Sequence, residues 1–431
     1  MRRSVRTGLA AAFAVGMGMF DVGAATPEAT PVPAALSRVR DGLPRFFGKA
    51  ENGGEVRVAY LGGSITAAPG WRVKSLSLLQ ERFPKAKFTE IAASIGGTGS
   101  DLGVYRVEHD ALQHRPDLLF VEFCVNDASA SPARIWSGME GIVRKTWKFL
   151  PDCDICFVYT FKTGFEKELS SGICTASQSA MEQLADHYGI PSVNFSVRCM
   201  EMLKAGRMIV REEDRAESTA KDAVVFSKDG VHPLDAAHGI YTEVLGEAFS
   251  TWGANRVPAR NRGAQLQQPF SAHHWEDATM VPFDAKGIVR TGKWQELPEQ
   301  DAVRRVAGRR MMSLWTASEP GAQVRFRFRG TSVRMYDMVG PDGGQLDVEV
   351  DGKRRGPVAR FDSYCTYHRL ATLSLAEDLP AGEHEVLLTL RGDQPDRSAV
   401  IAKDKPGTDP AKYVGTVVWF GGVLLRGEIV P

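Results

Sequence analysis

Ser64 stands at the end of "VRVAYLGGSITAAPG", where the apolar run Val56 to Leu61 meets the turn Gly62-Gly63-Ser64-Ile65-Thr66. A serine hydroxyl is a poor nucleophile unless a base takes its proton, and a histidine base needs a carboxylate to orient it. Asp229 and His232, three apart in the Gly/Pro-bounded loop of "SKDGVHPLDAAHG" (Ser227 to Gly239), supply both. That spacing puts carboxylate and imidazole on one side of a tight turn, with the second ring nitrogen left to face Ser64. Attack on an acyl carbon also needs donors for the oxyanion that develops. The Ser64 N–H is one, a glycine of "ASIGGTGSD" (Ala93 to Asp101) can bring a second backbone N–H close, and the Asn126 amide of "CVND" offers a third. Singly, each residue has an ordinary structural role: Ser64 as a turn or cap residue, Asp229 as a turn former, Asn126 and Asp127 as caps of the following helix.

The elements that must position these groups are legible in the hydrophobic pattern. Apolar runs at Val56–Leu61, Lys87–Ser94, Asp117–Cys124, Cys156–Phe161 and Pro191–Phe195 alternate with helix-like segments 73–83, 101–114, 135–150, 176–188 and 234–252. Such alternation predicts an α/β domain, a doubly wound parallel sheet between two helical layers, with ligands beyond the carboxyl ends of the strands. Ser64, the glycine turn and Asn126 follow the first three strands. Past a polar stretch, 254–270, the period changes to two in "QVRFRFRG", "TSVRMYDMV", "GQLDVEVDG" and "HEVLLTLRG", which predicts an all-β sandwich or jelly roll. The expected organisation is a signal peptide over 1–25, a flexible Pro/Ala-rich leader over 26–50, the α/β domain over 51–253, a linker over 254–270 and the sandwich over 271–431.

Composition narrows the function. The formal charge is +1, with 53 basic and 52 acidic residues, which gives no reason to expect nucleic acid as a partner. Arg2, Arg3 and Arg6 precede the apolar run Leu9–Phe20 and the small residues Val22-Gly23-Ala24-Ala25, the pattern of a secretory signal. An exported chain, periplasmic or secreted, with no membrane span after cleavage is the expectation. Six cysteines, at 124, 153, 156, 174, 199 and 365, are read as structural bridges or buried thiols. No metal-ligand spacing and no phosphate loop is present, so neither metal nor organic cofactor is expected. His238 is expected on the last helix, His109 and His114 solvated, and His273-His274-Trp275 at the domain interface. Glu122, in a strand that reads as buried, is expected to pair with Arg or Lys.

With these residues in place, the chain resembles the SGNH (GDSL-type) serine hydrolases. Gly62-Gly63-Ser64-Ile65-Thr66 resembles their first block, Cys124-Val125-Asn126-Asp127 their third, and Asp229-Gly230-Val231-His232 their fifth. The resemblance implies a catalytic triad of Ser64, His232 and Asp229. It implies an oxyanion hole of Ser64 N–H, Gly97 (Gly96 being the off-by-one rival) and Asn126. Two positions depart from the pattern. Gly63 replaces an aspartate, removing a polar contact behind the nucleophile, and Cys124 replaces a glycine, which is expected to reshape the acyl pocket. The second domain resembles modules of carbohydrate-active esterases and carries Trp275, Trp294, Trp315, Tyr336, Tyr364, Tyr367 and Trp419, most of them expected in core or interface. The implied activity is removal of acyl, in particular acetyl, groups from a poly- or oligosaccharide. A polysaccharide O-acetyltransferase shares the motif chemistry, and a non-catalytic glycan-binding protein is the reading from another class.

Overall fold

The computed structural model describes residues 28–217, 222–254, 258–259, 262, 266–404 and 407–431. The signal segment expected over 1–25 lies outside these. A six-stranded sheet forms the first domain: β1 (Ser37–Arg38), β2 (Glu55–Gly62), β3 (Lys87–Ala92), β4 (Leu118–Glu122), β5 (Asp154–Tyr159) and β6 (Ser192–Asn194), in the order β1-β6-β5-β4-β2-β3. All pairings are parallel except β1 with β6. β4 and β5 are buried at every residue, as uninterrupted apolar strands covered on both faces must be.

Helices α1 (Pro44–Glu51), α2 (Ser64–Ala67), α3 (Trp71–Arg82), α4 (Ser100–Asp110), α5 (Pro132–Phe149), α6 (Glu166–Ser170), α7 (Ala176–Tyr188), α8 (Phe195–Lys204) and α9 (Asp235–Ala254) complete the domain. α4, α5 and α7 pack side by side on one face, and α3, α8 and α9 on the other. On the latter face Tyr60 stacks on Phe120 with ring centroids 5.3 Å apart, and Trp71 meets Phe195 edge-on at 5.6 Å. The predicted strands and long helices are all present within a few residues.

The segment expected as a flexible leader departs from that reading from residue 33 onward. Pro33 bridges to Ile173, Arg40 bonds Glu182, Asp186 and the Ile190 carbonyl, and Pro44 opens α1. Phe46 and Phe47 of α1 are buried in the main core, each contributing about 1.5–3 kcal/mol. The Asp154 carboxylate accepts the N–H groups of Arg45 and Phe46, capping the helix start. Two aromatics beside a proline that pre-sets helical φ outweigh a Pro/Ala-rich approach. The described end of the linker is also tied down, with Glu140 of α5 accepting the N–H groups of Phe270 and Ser271.

The second domain is antiparallel and built around the 17-residue strand Gln323–Val339, which pairs with Arg369–Ala376, Gly382–Leu390 and Val418–Val430. Its first half alternates, with Val324, Phe326 and Phe328 inward and Arg325, Arg327 and Arg329 outward. Its second half is buried on both faces, because Tyr336 and Met338 join the core of the α/β domain. Trp275, Ala278, Trp419 and Leu424 join it too, so the core of the α/β domain extends into the second, which keeps a separate core of its own around Phe283, Phe326 and Phe420. Arg134 and Arg334 each bond Asp101 at 3.1 Å and also pair with Glu377, locking α4 and α5 to the sandwich.

Candidate active site

β2 delivers Ser64 to the carboxyl edge of the sheet, where Gly63 is extended and α2 begins at the serine itself. As the first residue of a helix, Ser64 has an N–H without an intrahelical acceptor. The loop before α9 supplies the imidazole. His232 Nε2 lies 2.8 Å from Ser64 Oγ, and His232 Nδ1 lies 2.6 Å from Asp229 Oδ2. The other Asp229 oxygen accepts the N–H groups of Val231 and His232 and the Ser227 hydroxyl. Burial alone would raise the Asp229 pKa, but these bonds outweigh it and hold the carboxyl well below the usual range. It is therefore ionised at neutral pH and fixes the imidazole with Nε2 toward the serine.

The loop is shaped by Gly230, whose φ is +81° and whose carbonyl accepts both the N–H and the hydroxyl of Thr163, past the end of β5. A Cβ there would come within 2.4 Å of Thr163 Oγ1. His232 and Asp229 are about half exposed, at 51% and 53%, so water reaches the site.

Gly96 and Gly97 follow β3. Among the described residues, neither N–H donates to another backbone carbonyl. Gly97 has φ +74° and open space where a Cβ would stand, while Gly96 packs against Ser64, a Cβ there falling 3.5 Å from the serine Cβ. Asn126 lies across Gly63, and a Cβ on residue 63 would sit 1.9 Å from Asn126 Oδ1. A side chain at 63 would thus collide with the Asn126 amide where it stands, beside Ser64 in the chain. A pocket of about 340 Å³ opens beside Gly97 and Asn126, lined also by Ala130, Arg134 and Ile135.

Several supporting residues differ from sequence expectation. Asp127 caps the preceding α4 rather than a following helix: its carboxylate accepts the Ser100 N–H at 3.1 Å, tying the Gly97 loop to the Asn126 loop. Burial raises its pKa to about 7 against those bonds. Among the described residues Glu122 has no Arg or Lys partner. It accepts the hydroxyls of Thr66 (2.9 Å) and Thr160 (2.8 Å) and the Gly63 N–H, directly behind Ser64. Burial raises its pKa above the usual carboxyl value. Sequence reasoning missed this role; the signal was a lone acid ending an apolar strand. Cys124 is buried and its sulfur accepts the Thr160 N–H at 3.2 Å, so it faces the interior and does not reshape an acyl pocket. All six cysteines are unpaired and buried. His238 is structural, its Nδ1 accepting the Trp71 N–H at the start of α3.

A cleft of about 780 Å³ lies between the domains beside Gly96, the residue that packs against Ser64. Ile95 and Gly96 line one side, and Tyr367, His368, Arg369 and Arg310 of the second domain the other. Of the aromatics singled out in that domain, only Tyr364 and Tyr367 are strongly exposed. Trp275 packs at the domain interface, as expected, its N–H donating to Ser137 of α5. Among the described residues no cluster of His, Cys, Asp and Glu could hold a metal ion, and no helix is long and apolar enough to cross a membrane.

The model of the GDSL-like lipase/acylhydrolase family matches residues 60–240, the span that holds Ser64, Gly97, Asn126, Asp229 and His232. The chain is similar in fold to a two-domain esterase active on acetylated mannans. It is 21% identical to that protein and covers 90% of this chain and 96% of the other, with a TM-score of 0.66. The same esterase crystallised with mannopentaose gives a TM-score of 0.65, covering 89% and 94% of the two chains at 21% identity. No curated protein matches the sequence.

Proposed function

We propose, from the premise that residues 60–240 belong to the GDSL-like lipase/acylhydrolase family, that this ester hydrolase removes acetyl groups from a glycan held between its two domains. The observation that carries the reading is the unbroken line Asp229–His232–Ser64, with Ser64 packed against Gly96, a wall residue of the interdomain cleft. His232 Nε2 takes the Ser64 proton as Oγ attacks the ester carbonyl, and Asp229 stabilises the imidazolium. The N–H groups of Ser64 and Gly97, with the Asn126 amide, stabilise the oxyanion. His232 then protonates the departing sugar hydroxyl. Water, activated by the same imidazole, attacks the acyl-serine, and acetate leaves as Ser64 recovers its proton.

The small pocket beside Asn126 suits a short acyl group, and the exposed Tyr367 ring suits the apolar face of a sugar. The half-exposed triad favours water over a second sugar as acyl acceptor, and thus hydrolysis over transfer. The N-terminal Arg-rich, apolar segment supports export to the periplasm or beyond. Acetate release from a panel of acetylated glycans tests the reading. Ser64→Ala is expected to lower kcat by at least about 10³-fold, and equal rates in both proteins would remove Ser64 from the mechanism.

A further inference from the structure

A groove of about 900 Å³ continues from the interdomain cleft along the free edge of the parallel sheet, the two sharing Ile95 and Arg310. One wall is the run Thr89–Ile95 of β3 and its following loop, about 20 Å long at strand rise. The other is α10 (Ala302–Ala307) with the turn Gly308–Arg310, in the sequence "AVRRVAGRRMM". Arg57, Arg115, Arg309 and Arg310 line this groove, are exposed, and form no ion pair among the described residues. Its two acids are already engaged, Glu90 by Arg72 and Asp110 by Arg106. With a formal charge of only +1 on the whole chain, this is a local concentration of uncompensated charge.

We propose that the acylated glycan is a polyanion, whose carboxylate or sulfate groups are held by this arginine-lined groove while Ser64 acts on an ester at its end. Guanidinium forks match both anions, and spaced along a concave wall they recognise a repeating charge better than a single one. The acetylated mannans acted on by the structural neighbours are uncharged, so the two substrates differ in kind. The inference rests on the esterase reading for what happens at Ser64, but not for binding.

The test uses the full chain carrying Ser64→Ala and three unacylated hexasaccharides: an oligouronate, a sulfated oligosaccharide and mannohexaose. Calorimetry is expected to show one of the anionic ligands bound about ten-fold tighter than mannohexaose, with the advantage shrinking as salt rises. Which anionic ligand binds identifies the group. Arg309→Ala with Arg310→Ala is expected to weaken that binding about ten-fold, and Arg309→Lys with Arg310→Lys to recover part of it. Equal or tighter binding of mannohexaose, or unchanged binding in the alanine variant, overturns the inference. A chain that binds the anionic ligand but releases no acetate with Ser64 intact overturns the esterase reading and leaves the groove standing. Acetate release from neutral glycans alone does the reverse.

Discussion

Asp127 touches neither the nucleophile nor the base, yet it joins the two loops that carry Gly97 and Asn126. Its folded pKa of about 7 lies above the 3.8 of an unperturbed aspartate, so between those values the folded chain holds a proton that the unfolded chain has lost. Stability from this group is therefore fully present below about pH 4 and is lost as pH rises through about 7. Asp127→Asn keeps an acceptor for the Ser100 N–H and removes the titration. The drop in melting temperature between pH 5 and pH 8 is expected to be shallower in the variant than in the wild type; an equal or steeper drop contradicts the assignment.

The strand-turn-helix of β2, Gly63 and α2 is the element on which the chemistry turns. Gly63 is extended, so any residue could adopt its backbone angles; what forbids a side chain is the Asn126 amide against it. Gly63→Ala is expected to push that amide away and lower kcat by about 10²-fold, near the loss of one oxyanion donor, with little change in melting temperature. Full activity in the variant would show that Asn126 does not work from this position. The Gly62–Thr66 turn and the Asp229–His232 loop were legible in sequence because both depend on local spacing. So were the parallel strands, whose apolar runs are long and bounded by glycine. Glu122 was misread because its partners, Thr66 of α2 and Thr160 just past β5, follow different strands. α1 was hidden behind a proline-rich approach, and the basic groove arises only where α10 folds back onto the edge of β3.

At the scale of the whole molecule, the docking of the two domains decides what the cleft can hold. Arg334 reaches from the sandwich to Asp101 and Glu377 with its side chain 5% exposed, while each acid is about one-third exposed. Arg334→Ala is expected to cost about 1–3 kcal/mol in denaturant unfolding, below the value for a fully buried pair because the acids keep some water. An unchanged unfolding midpoint would show that the ion network contributes nothing to the interface. The six buried, unpaired sulfurs bear on biogenesis. With all six thiols free, no disulfide holds the native state together, and folding does not call for an oxidase. If the chain is exported as proposed, what an oxidising compartment threatens is the nascent chain, whose thiols are safe from mispairing only once collapse has hidden them. Speed of folding, more than redox chemistry, guards the product.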